Sequence, residues 1–221
     1  MRPFEYQAPA SVDEAVAVLD SGGARARPLA GGTDLLVQMR YGLFRPDLLV
    51  DIKRIPELNE ITFDPFSGLT FGAAVSCARL CEHKGVQAAY PGLIDAVSII
   101  GGTAIQSRAT VGGNLCNGAP SGDAIPALIV HGATATIAGP QGRRTVPVES
   151  FVRGPGHTVL QAGEMLVSIQ VPAPVASTGA SYLRFIPRHE MDIAVAGAGV
   201  WLALDQDRER IVGARVALGA V

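Results

Sequence analysis

The chain has 221 residues, of which 48% are hydrophobic and 17% are charged; this composition excludes a disordered tail and suffices for a buried core. A formal net charge of -2 argues against a nucleic-acid surface, which needs a stripe of basic residues. No apolar run is long enough to cross a membrane, and the N-terminus lacks the apolar core of a secretory signal. Since the three cysteines form no paired framework either, we expect a soluble, cytoplasmic protein.

Residues 1–58 alternate between strand and helix patterns, and we expect them to form a first unit. Ser11 and Glu14 have the spacing of a capping box, so the first helix should begin after Ser11 and end at Gly22-Gly23. The following segments read as strand, helix and strand: "ARPLAGG", "TDLLVQMRYGL" and "DLLVDIKRI". With the initial strand "FEYQAP", this β-α-β-α-β order predicts a small, mostly parallel sheet carrying helices.

Residues 59–175 have α+β character and are expected to form a second unit. The segment "ITFDPFSGLTFGAAVS" predicts a hairpin, and two helical segments follow it, "SCARLCEHKGV" and "PGLIDAVSII". After these we expect a glycine-rich loop, a short helix, and strands separated by the turn "GPQG" and ending with "EMLVSIQVP".

A linker, "APVASTGA" at 173–180, leads into the last part of the chain, 176–221, which from residue 181 reads as strands around the turn "DQDR". A unit this short cannot easily bury both faces of its strands alone. We therefore expect the start of a third unit that is incomplete, and that is either truncated or completed by a partner.

The stretch "LAGGTDLL" combines the end of a strand, two glycines and the start of a helix. Gly31 and Gly32 would let the backbone approach an anion, and the unpaired N–H groups at a helix N-terminus attract phosphate. The Thr33 hydroxyl could donate as well. An ordinary glycine turn, with Thr33 or Asp34 as the helix N-cap, explains the same residues equally well.

The stretch "TVGGNLCNGAPSGDAIPA", residues 110–127, carries more polar and glycine residues than a bland surface loop needs. Gly112 and Gly113 free the backbone, while Asn114 and Asn117 offer amide groups. Asp123 could accept hydrogen bonds from a ribose or ribityl hydroxyl, or it could cap the helix that begins in "SGDAIPAL". Two phosphate-compatible segments about eighty residues apart predict a shared pyrophosphate, and hence a dinucleotide.

The Rossmann fingerprint does not supply this site. The segment "GAGVWLALD" from Gly197 resembles its opening, but Leu202 stands where the third small residue belongs and the whole segment reads as a strand. Cys77 and Cys81 with nearby His83 do not complete a zinc site, and their spacing on a helix fits core packing. We expect no metal in this chain.

Taken together, "AGGTDLL" at 30–36 and "TVGGNLCNGAPSGDAIPAL" at 110–128 resemble the FAD-binding medium subunit of the molybdenum hydroxylases, a family that includes xanthine dehydrogenase and aerobic carbon monoxide dehydrogenase. Three further segments carry the resemblance along the rest of the chain: 49–61, 163–172 and 181–200. It implies an α+β fold of the vanillyl-alcohol oxidase/p-cresol methylhydroxylase type. Residues 1–58 and 59–175 would be its two FAD-binding α/β subdomains, and 176–221 the start of a truncated C-terminal α+β domain.

The resemblance also implies which residues bind FAD: Leu29, Ala30, Gly31, Gly32, Thr33, Asp34, Leu35, Ile100, Ala109, Thr110, Gly112, Gly113, Asn114, Asn117, Asp123, Leu166 and Arg184. Residues 30–34 would wrap the pyrophosphate. Thr110 and Gly113-Asn114 would bind the pyrophosphate or the ribityl chain, and Asp123 would hold the adenosine ribose hydroxyls.

Three outlying positions complete the implied site. Leu166 falls where the family packs an apolar residue against the adenine or the flavin. Arg184 falls where relatives often carry lysine near the polar edge of the flavin, so the cation is kept with a different geometry. Ile100 falls where animal xanthine dehydrogenases carry phenylalanine, so aromatic stacking is not expected there.

The implied function is electron relay in an oxidoreductase complex. A large subunit with the molybdenum cofactor oxidises the substrate, a small subunit with 2Fe-2S clusters passes electrons on, and FAD in this chain delivers them to an external acceptor such as NAD, a quinone or oxygen. No side chain of this chain is then needed as a catalytic group. A stand-alone flavin oxidase of the same fold and a truncated, non-catalytic assembly module are the alternatives.

Overall fold

The computed structural model describes residues 2–188 and 191–221, so His189 and Glu190, inside one segment that carries the resemblance, lie outside the described residues. The N-terminal region forms a three-stranded sheet of β1 (Glu5–Gln7), β2 (Ala26–Leu29) and β3 (Leu48–Asp51). Its order is β1-β3-β2 and both pairings are parallel, which confirms the predicted parallel sheet.

Two helices connect these strands, α1 (Val12–Gly22) and α2 (Leu35–Arg40). The predicted start of α1 is confirmed, because the Ser11 side chain accepts a hydrogen bond from the Glu14 N–H at 3.2 Å. The Glu14 carboxylate accepts from the Ala10 N–H at 2.8 Å and not from the N-cap residue itself, so the reciprocal half of the capping box is displaced by one residue.

The second region is built on an antiparallel sheet of five strands with the order β4-β5-β10-β6-β7. These strands and a small hairpin of β8 and β9 are β4 (Ile61–Asp64), β5 (Gly68–Gly72), β6 (Thr134–Gly139), β7 (Gly142–Pro147), β8 (Val152–Gly154), β9 (His157–Thr158) and β10 (Met165–Val171). The predicted hairpins, β4 with β5 and β6 with β7, are confirmed. The last strand, β10, lies at the centre of the sheet between β5 and β6.

Six short helices follow β5 and precede β6: α3 (Cys77–Glu82), α4 (Lys84–Ala89), α5 (Pro91–Val97), α6 (Thr103–Gln106), α7 (Val111–Asn117) and α8 (Ala124–Val130). The first predicted helix is divided in two at His83, whose Nδ1 accepts from the Val86 N–H at 3.3 Å and starts a new helix. The expectation of a glycine-rich loop is wrong for residues 111–117, because α7 forms there between the N-cap Thr110 and the left-handed Gly118.

The C-terminal region is a three-stranded antiparallel sheet of β11 (Thr178–Phe185), β12 (Ala196–Leu204) and β13 (Ile211–Gly219), in that order. One face packs on α5 and α8. A Cβ on Gly199 of β12 would lie 2.8 Å from the Pro126 carbonyl oxygen of α8, so sheet and helix backbones approach closely. The opposite face carries exposed apolar side chains, among them Leu183, Val216 and Leu218.

Each of the three larger sheets lies within one of the three units predicted from the sequence, while the unit boundaries themselves stay predictions. A buried cluster joins the first two sheets: Val50 and Leu58 belong to it together with Ala74 and Val167. A larger cluster fills the second region around Phe71. Among the described residues, no helix has both the length and the apolar character needed to span a bilayer.

Candidate functional site

A cavity of about 440 Å³ lies where the two glycine segments face each other. Most of the residues predicted to bind a cofactor line it: Ala30, Gly31, Gly32, Thr33, Asp34, Leu35, Ile100, Ala109, Thr110, Gly112, Gly113, Asn114, Asn117 and Leu166. The two segments, some eighty residues apart in the chain, therefore form one cavity, as the sequence predicted.

The first glycine segment presents free backbone donors to this cavity. The N–H groups of Gly31, Gly32 and Thr33 donate no hydrogen bond to any residue that the structure describes. Helix α2 begins only at Leu35, and Asp34, although it occupies the N-cap position, makes no capping hydrogen bond with its side chain. The alternative is thus confirmed for the N-cap position of Asp34 but not for capping by its side chain. The free N–H groups make the segment suited to an anion that accepts from several of them.

The glycines of the two segments have different physical roles. A Cβ on Gly31 would clash with the carbonyl oxygen of Arg108, and a Cβ on Gly112 would lie 2.5 Å from the carbonyl oxygen of Ala73. These two glycines permit backbone to pack on backbone, which corrects the expectation that they merely clear space for a ligand. Gly113 is different, because a Cβ there would approach only the Thr110 hydroxyl, at 3.0 Å.

Thr110 and Asn114 hold the second glycine segment in shape. The buried Thr110 hydroxyl accepts from the Gly113 N–H at 2.8 Å and so caps α7. The Asn114 Oδ1 accepts from the Ala124 N–H at 3.3 Å, which ties α7 to the start of α8. Both residues line the cavity while they make these contacts.

A polar bridge connects the two segments across the cavity. The Asn117 Nδ2 donates to the Asp34 carboxylate at 3.2 Å, and the Gln38 Nε2 donates to the Asn117 Oδ1 at 3.1 Å. Burial raises the pKa of the Asp34 carboxyl. These two hydrogen bonds connect the N-terminal half of the cavity to α7.

Leu29, Asp123 and Arg184 do not line the cavity, unlike the other predicted residues. Asp123 and Arg184 instead form an ion pair of 2.8 Å between side chains that are 9% and 10% exposed. The Tyr182 hydroxyl donates to the other Asp123 oxygen at 2.9 Å. Burial raises the pKa of Asp123, against the opposing effects of the Tyr182 hydrogen bond and the Arg184 charge.

This geometry bears on both sequence interpretations of Asp123, the helix cap and the ribose contact. Asp123 occupies the N-cap position of α8, as one interpretation predicted, but its side chain makes no capping hydrogen bond. Its two carboxylate oxygens accept from Tyr182 and Arg184 and not from a group in the cavity. The ribose contact of Asp123 and the flavin contact of Arg184 therefore stay predictions.

Part of the cavity wall was missed by the sequence analysis. It comes mainly from the segment before and at the start of β10 and from the N-terminal region, with single positions after β5 and on α7: Gly156, Thr158, Leu160, Gln161, Glu164, Met165, Arg27, Pro28, Gln38, Phe44, Ile52, Ala73 and Cys116. No local pattern marks these residues as cavity wall, because they are ordinary positions of strands, helices and irregular chain that only the fold brings together. The Arg27 guanidinium lies 5.5 Å over the Phe44 ring, a contact that only the folded chain forms.

The Glu164 carboxylate of the wall and two thiols, Cys116 of the wall and Cys77 outside it, show which groups can take part in binding. Glu164 is neutralised by Arg144, whose Nε and NH2 both donate to it at 2.7 Å. Burial raises the pKa of Cys77 and of Cys116 to about 12, so both thiols are protonated and unsuited to metal binding. Within the described residues, no three His, Cys, Asp or Glu side chains are placed to hold a metal ion.

Comparison with known proteins gives concordant matches. A family described as the FAD binding domain in molybdopterin dehydrogenase matches residues 2–174. The carbon monoxide dehydrogenase medium chain of Hydrogenophaga pseudoflava is 40% identical over 197 residues, which cover 89% of this chain and 68% of that protein. The xanthine dehydrogenase FAD-binding subunit of Escherichia coli O157:H7 is 35% identical over 201 residues, covering 90% of this chain and 68% of that protein.

Solved structures give the same result for the fold. The structure of carbon monoxide dehydrogenase from Hydrogenophaga pseudoflava, in a form that lacks the Mo-pyranopterin moiety of the molybdenum cofactor, matches with a TM-score of 0.93 and 37% identity, covering 99% of this chain and 75% of that chain. Quinoline 2-oxidoreductase from Pseudomonas putida 86 matches with a TM-score of 0.91 and 33% identity, covering 100% of this chain and 75% of that chain.

Proposed function

Because the chain belongs to the family of FAD-binding domains in molybdopterin dehydrogenases, we propose that its cavity holds FAD and that it serves as the flavin subunit of a molybdenum-containing hydroxylase. The observation that carries this proposal is the junction of residues 30–35 and 109–117 around a single cavity. A diphosphate needs several converging donors and no adjacent side chain in its way. The free N–H groups of Gly31, Gly32 and Thr33 supply the donors, and Gly113, which lines the cavity, places no side chain in the way.

The residues of this chain bind and orient the cofactor. We assign the diphosphate to the backbone of residues 31–34 and to the segment around Gly113. Leu166 and Ile100 supply apolar wall for a ring system, and the Asn117 bridge to Asp34 holds the two halves of the cavity together. When bound, FAD supplies both one-electron and two-electron redox chemistry.

The relay role extends this proposal beyond the chain. Three cysteines are fewer than the four thiolates of an ordinary iron–sulfur cluster, so these 221 residues do not supply the ligands of a 2Fe-2S cluster. We place the molybdenum cofactor in a large subunit, the clusters in a small subunit, and an external acceptor such as NAD, a quinone or oxygen after the flavin. The vanillyl-alcohol oxidase type of fold, with boundaries at 58/59 and 175/176, belongs to the same proposal.

Reconstitution with FAD tests the cofactor assignment. The purified chain should retain FAD through gel filtration, measured as flavin absorbance per chain. Gly113→Val should abolish retention, because its branched side chain would fill the space left for the ligand. Gly179→Val is the matched control, since a Cβ at Gly179 meets nothing within 4 Å and that residue lies on β11, away from the cavity.

The outcome separates the candidate functions. Loss of FAD by Gly113→Val alone, with an unchanged melting temperature, supports the cavity assignment. Equal FAD content in all three proteins would show that the flavin binds elsewhere, and a folded chain that takes up no FAD would indicate an assembly module. Substrate oxidation by the isolated, FAD-loaded chain would contradict the relay role and favour a stand-alone oxidase.

A further inference from the structure

A second cavity, of about 420 Å³, lies beside the first, at the end of α2 and the turn that follows it. Its lining is Arg2, Met39, Arg40, Tyr41, Gly42, Phe44, Arg45 and Pro46. Phe44 lines both cavities, so the second cavity adjoins the first through one aromatic ring. Nothing in the proposed FAD site uses the other residues of this lining.

Three cations and no carboxylate face this second cavity. Within residues 2–188 and 191–221, neither Arg2, Arg40 nor Arg45 forms an ion pair. Other exposed arginines of the chain, such as Arg143, do pair with carboxylates. Because the chain as a whole carries a formal charge of -2, three unpaired guanidinium groups around one cavity are a local reversal of sign that favours an anionic ligand.

One of these guanidinium groups is held in place before any ligand arrives. The Arg45 Nε donates to the Gly42 carbonyl oxygen at 3.3 Å. A Cβ on Gly42 would lie 3.3 Å from the Arg45 NH2, and Gly42 has a φ of +75°, so only glycine fits this turn comfortably. The Nε bond fixes the plane of the guanidinium and leaves its two terminal nitrogens to donate in parallel, the geometry that matches phosphate oxygens.

Two aromatic rings stand beside the cations. Tyr41 is 76% exposed and Phe44 is 40% exposed, which is far more aromatic surface than packing requires. The Arg27 guanidinium, which lines the first cavity and not the second, lies 5.5 Å over the Phe44 ring. An aromatic ring beside several guanidinium groups is suited to a ligand with a planar base at one end and phosphates at the other.

We propose that this second cavity binds the nucleoside diphosphate moiety of a nucleotide, distinct from FAD. Arg40 and Arg45 hold the diphosphate, Arg2 adds a third positive charge, and Tyr41 with Phe44 provides the surface for the base. The moiety can come from a free nucleotide such as ADP or from the ADP half of a dinucleotide such as NAD, and binding measurements with both distinguish these sources.

The test uses FAD-loaded protein, so that ADP cannot enter the first cavity. Calorimetric titration should show one saturable ADP site per chain. Arg40→Ala and Arg45→Ala should each weaken ADP binding at least about tenfold, because each removes charge-assisted hydrogen bonds. Arg210→Ala is the matched control, since Arg210 is an exposed arginine just before β13, and it should leave ADP binding unchanged. FAD content should be the same in every variant, which separates this proposal from the FAD assignment.

Comparison of probes completes the test. NAD binding as tight as ADP binding, with the same arginine dependence, assigns the site to a dinucleotide, and much weaker NAD binding assigns it to a free nucleotide. Adenosine binding as tight as ADP binding would contradict the arginine roles, and pyrophosphate binding as tight as ADP would contradict the aromatic role. The proposal would be overturned if ADP showed no saturable site. It would also be overturned if the arginines were needed to bind a hexaglutamate peptide but not to bind ADP.

Discussion

The Asp123 carboxylate and the Arg184 guanidinium form a nearly buried ion pair that links the start of α8 to β11. Removing one partner of a buried pair leaves the other charge buried and unpaired, at a cost of roughly 3–5 kcal/mol. We therefore expect Asp123→Ala to lower the free energy of unfolding by about that amount. Chemical denaturation followed by circular dichroism measures it.

A surface pair provides the control for Asp123. Arg143 and Glu57 are paired as well, but their side chains are 47% and 42% exposed, so Glu57→Ala should change stability by less than about 1 kcal/mol. FAD retention by Asp123→Ala, measured on folded protein, separates a structural role from the predicted ribose contact. A loss of FAD with unchanged stability would contradict the structural role.

Gly31 is expected to be intolerant of any side chain for a reason unrelated to the ligand. A Cβ there would run into the Arg108 carbonyl oxygen, a backbone atom that cannot rotate away. Gly31→Ala should therefore destabilise the protein by roughly 1–3 kcal/mol, the usual range for overpacking. Thermal melts of Gly31→Ala beside Gly179→Ala check this, and an unchanged melting temperature for Gly31→Ala would show that the segment can move apart.

Single residues show where sequence reasoning reached its limit. The glycine pairs were recognised as functional, but whether a glycine faces a ligand or a backbone depends on what lies opposite, and Arg108 and Ala73 are distant in sequence from the glycines that they contact. Asp123 and Arg184 were both singled out from the family resemblance. Their pairing across about sixty residues has no local signature, and only the fold brings them together.

At the scale of elements, Glu164 ties the segment before β10 to β7 and to the cavity wall. It accepts from Arg144 twice at 2.7 Å and from the Gln161 N–H at 2.7 Å. The Arg144 hydrogen bond lowers the pKa of Glu164 below its ordinary value, against the opposing effect of burial. A lowered pKa in the folded state means that this carboxylate adds stability above its unfolded pKa and loses it as the pH falls through the folded pKa.

The resulting pH dependence is testable with one substitution. The melting temperature of the parent protein should fall on acidification below about pH 4.5, and Glu164→Gln should show a shallower fall because it has no carboxylate to protonate. At neutral pH Glu164→Gln should melt lower than the parent protein. Parallel pH profiles for the two proteins would mean that the Arg144 pair contributes nothing to the acid transition.

Helix α7 explains why one element was predicted as a loop. Three of its seven residues are asparagine or cysteine, two are glycine, and all of these are weak helix formers. The helix forms because Thr110 caps it and because Val111, Gly112 and Leu115 are buried against the second sheet and its helices. By contrast, α1 carries an amphipathic pattern and its own cap, and most strands carry alternating patterns, so these were predictable from local sequence. The short β8 and β9 were not predicted, and β11 begins within the predicted linker.

At the scale of the whole molecule, the three sheets followed the order read from the sequence, but the surfaces that join them did not. The parallel sheet and the hairpins depend on patterns within a few residues. The core shared by the first two sheets depends on Ala74 and Val167, whose partners lie in the N-terminal region. The cavity forms at that same junction, which is why part of its wall was not predicted from the sequence.

The outer face of the C-terminal sheet leaves several large apolar side chains exposed side by side. Leu183, Val216 and Leu218 are 75%, 64% and 63% exposed, and Ala198 and Val200 of the middle strand pair with them in register. An antiparallel sheet with one face on the core normally shows polar residues on the other. A contiguous apolar face of this kind promotes association.

We therefore expect the 221-residue chain in isolation to self-associate through this face. Replacing Val216 by lysine removes apolar surface worth roughly 1.5–3 kcal/mol and sets a charge in the contact, so Val216→Lys should weaken association at least about tenfold. Sedimentation velocity across a concentration series measures the change. Phe66→Lys is the control, because Phe66 is 92% exposed in the turn between β4 and β5 and lies outside this sheet. Only Val216→Lys alters the apolar face of the C-terminal sheet. If Phe66→Lys reduced association as much as Val216→Lys, the contact would not be formed by this face.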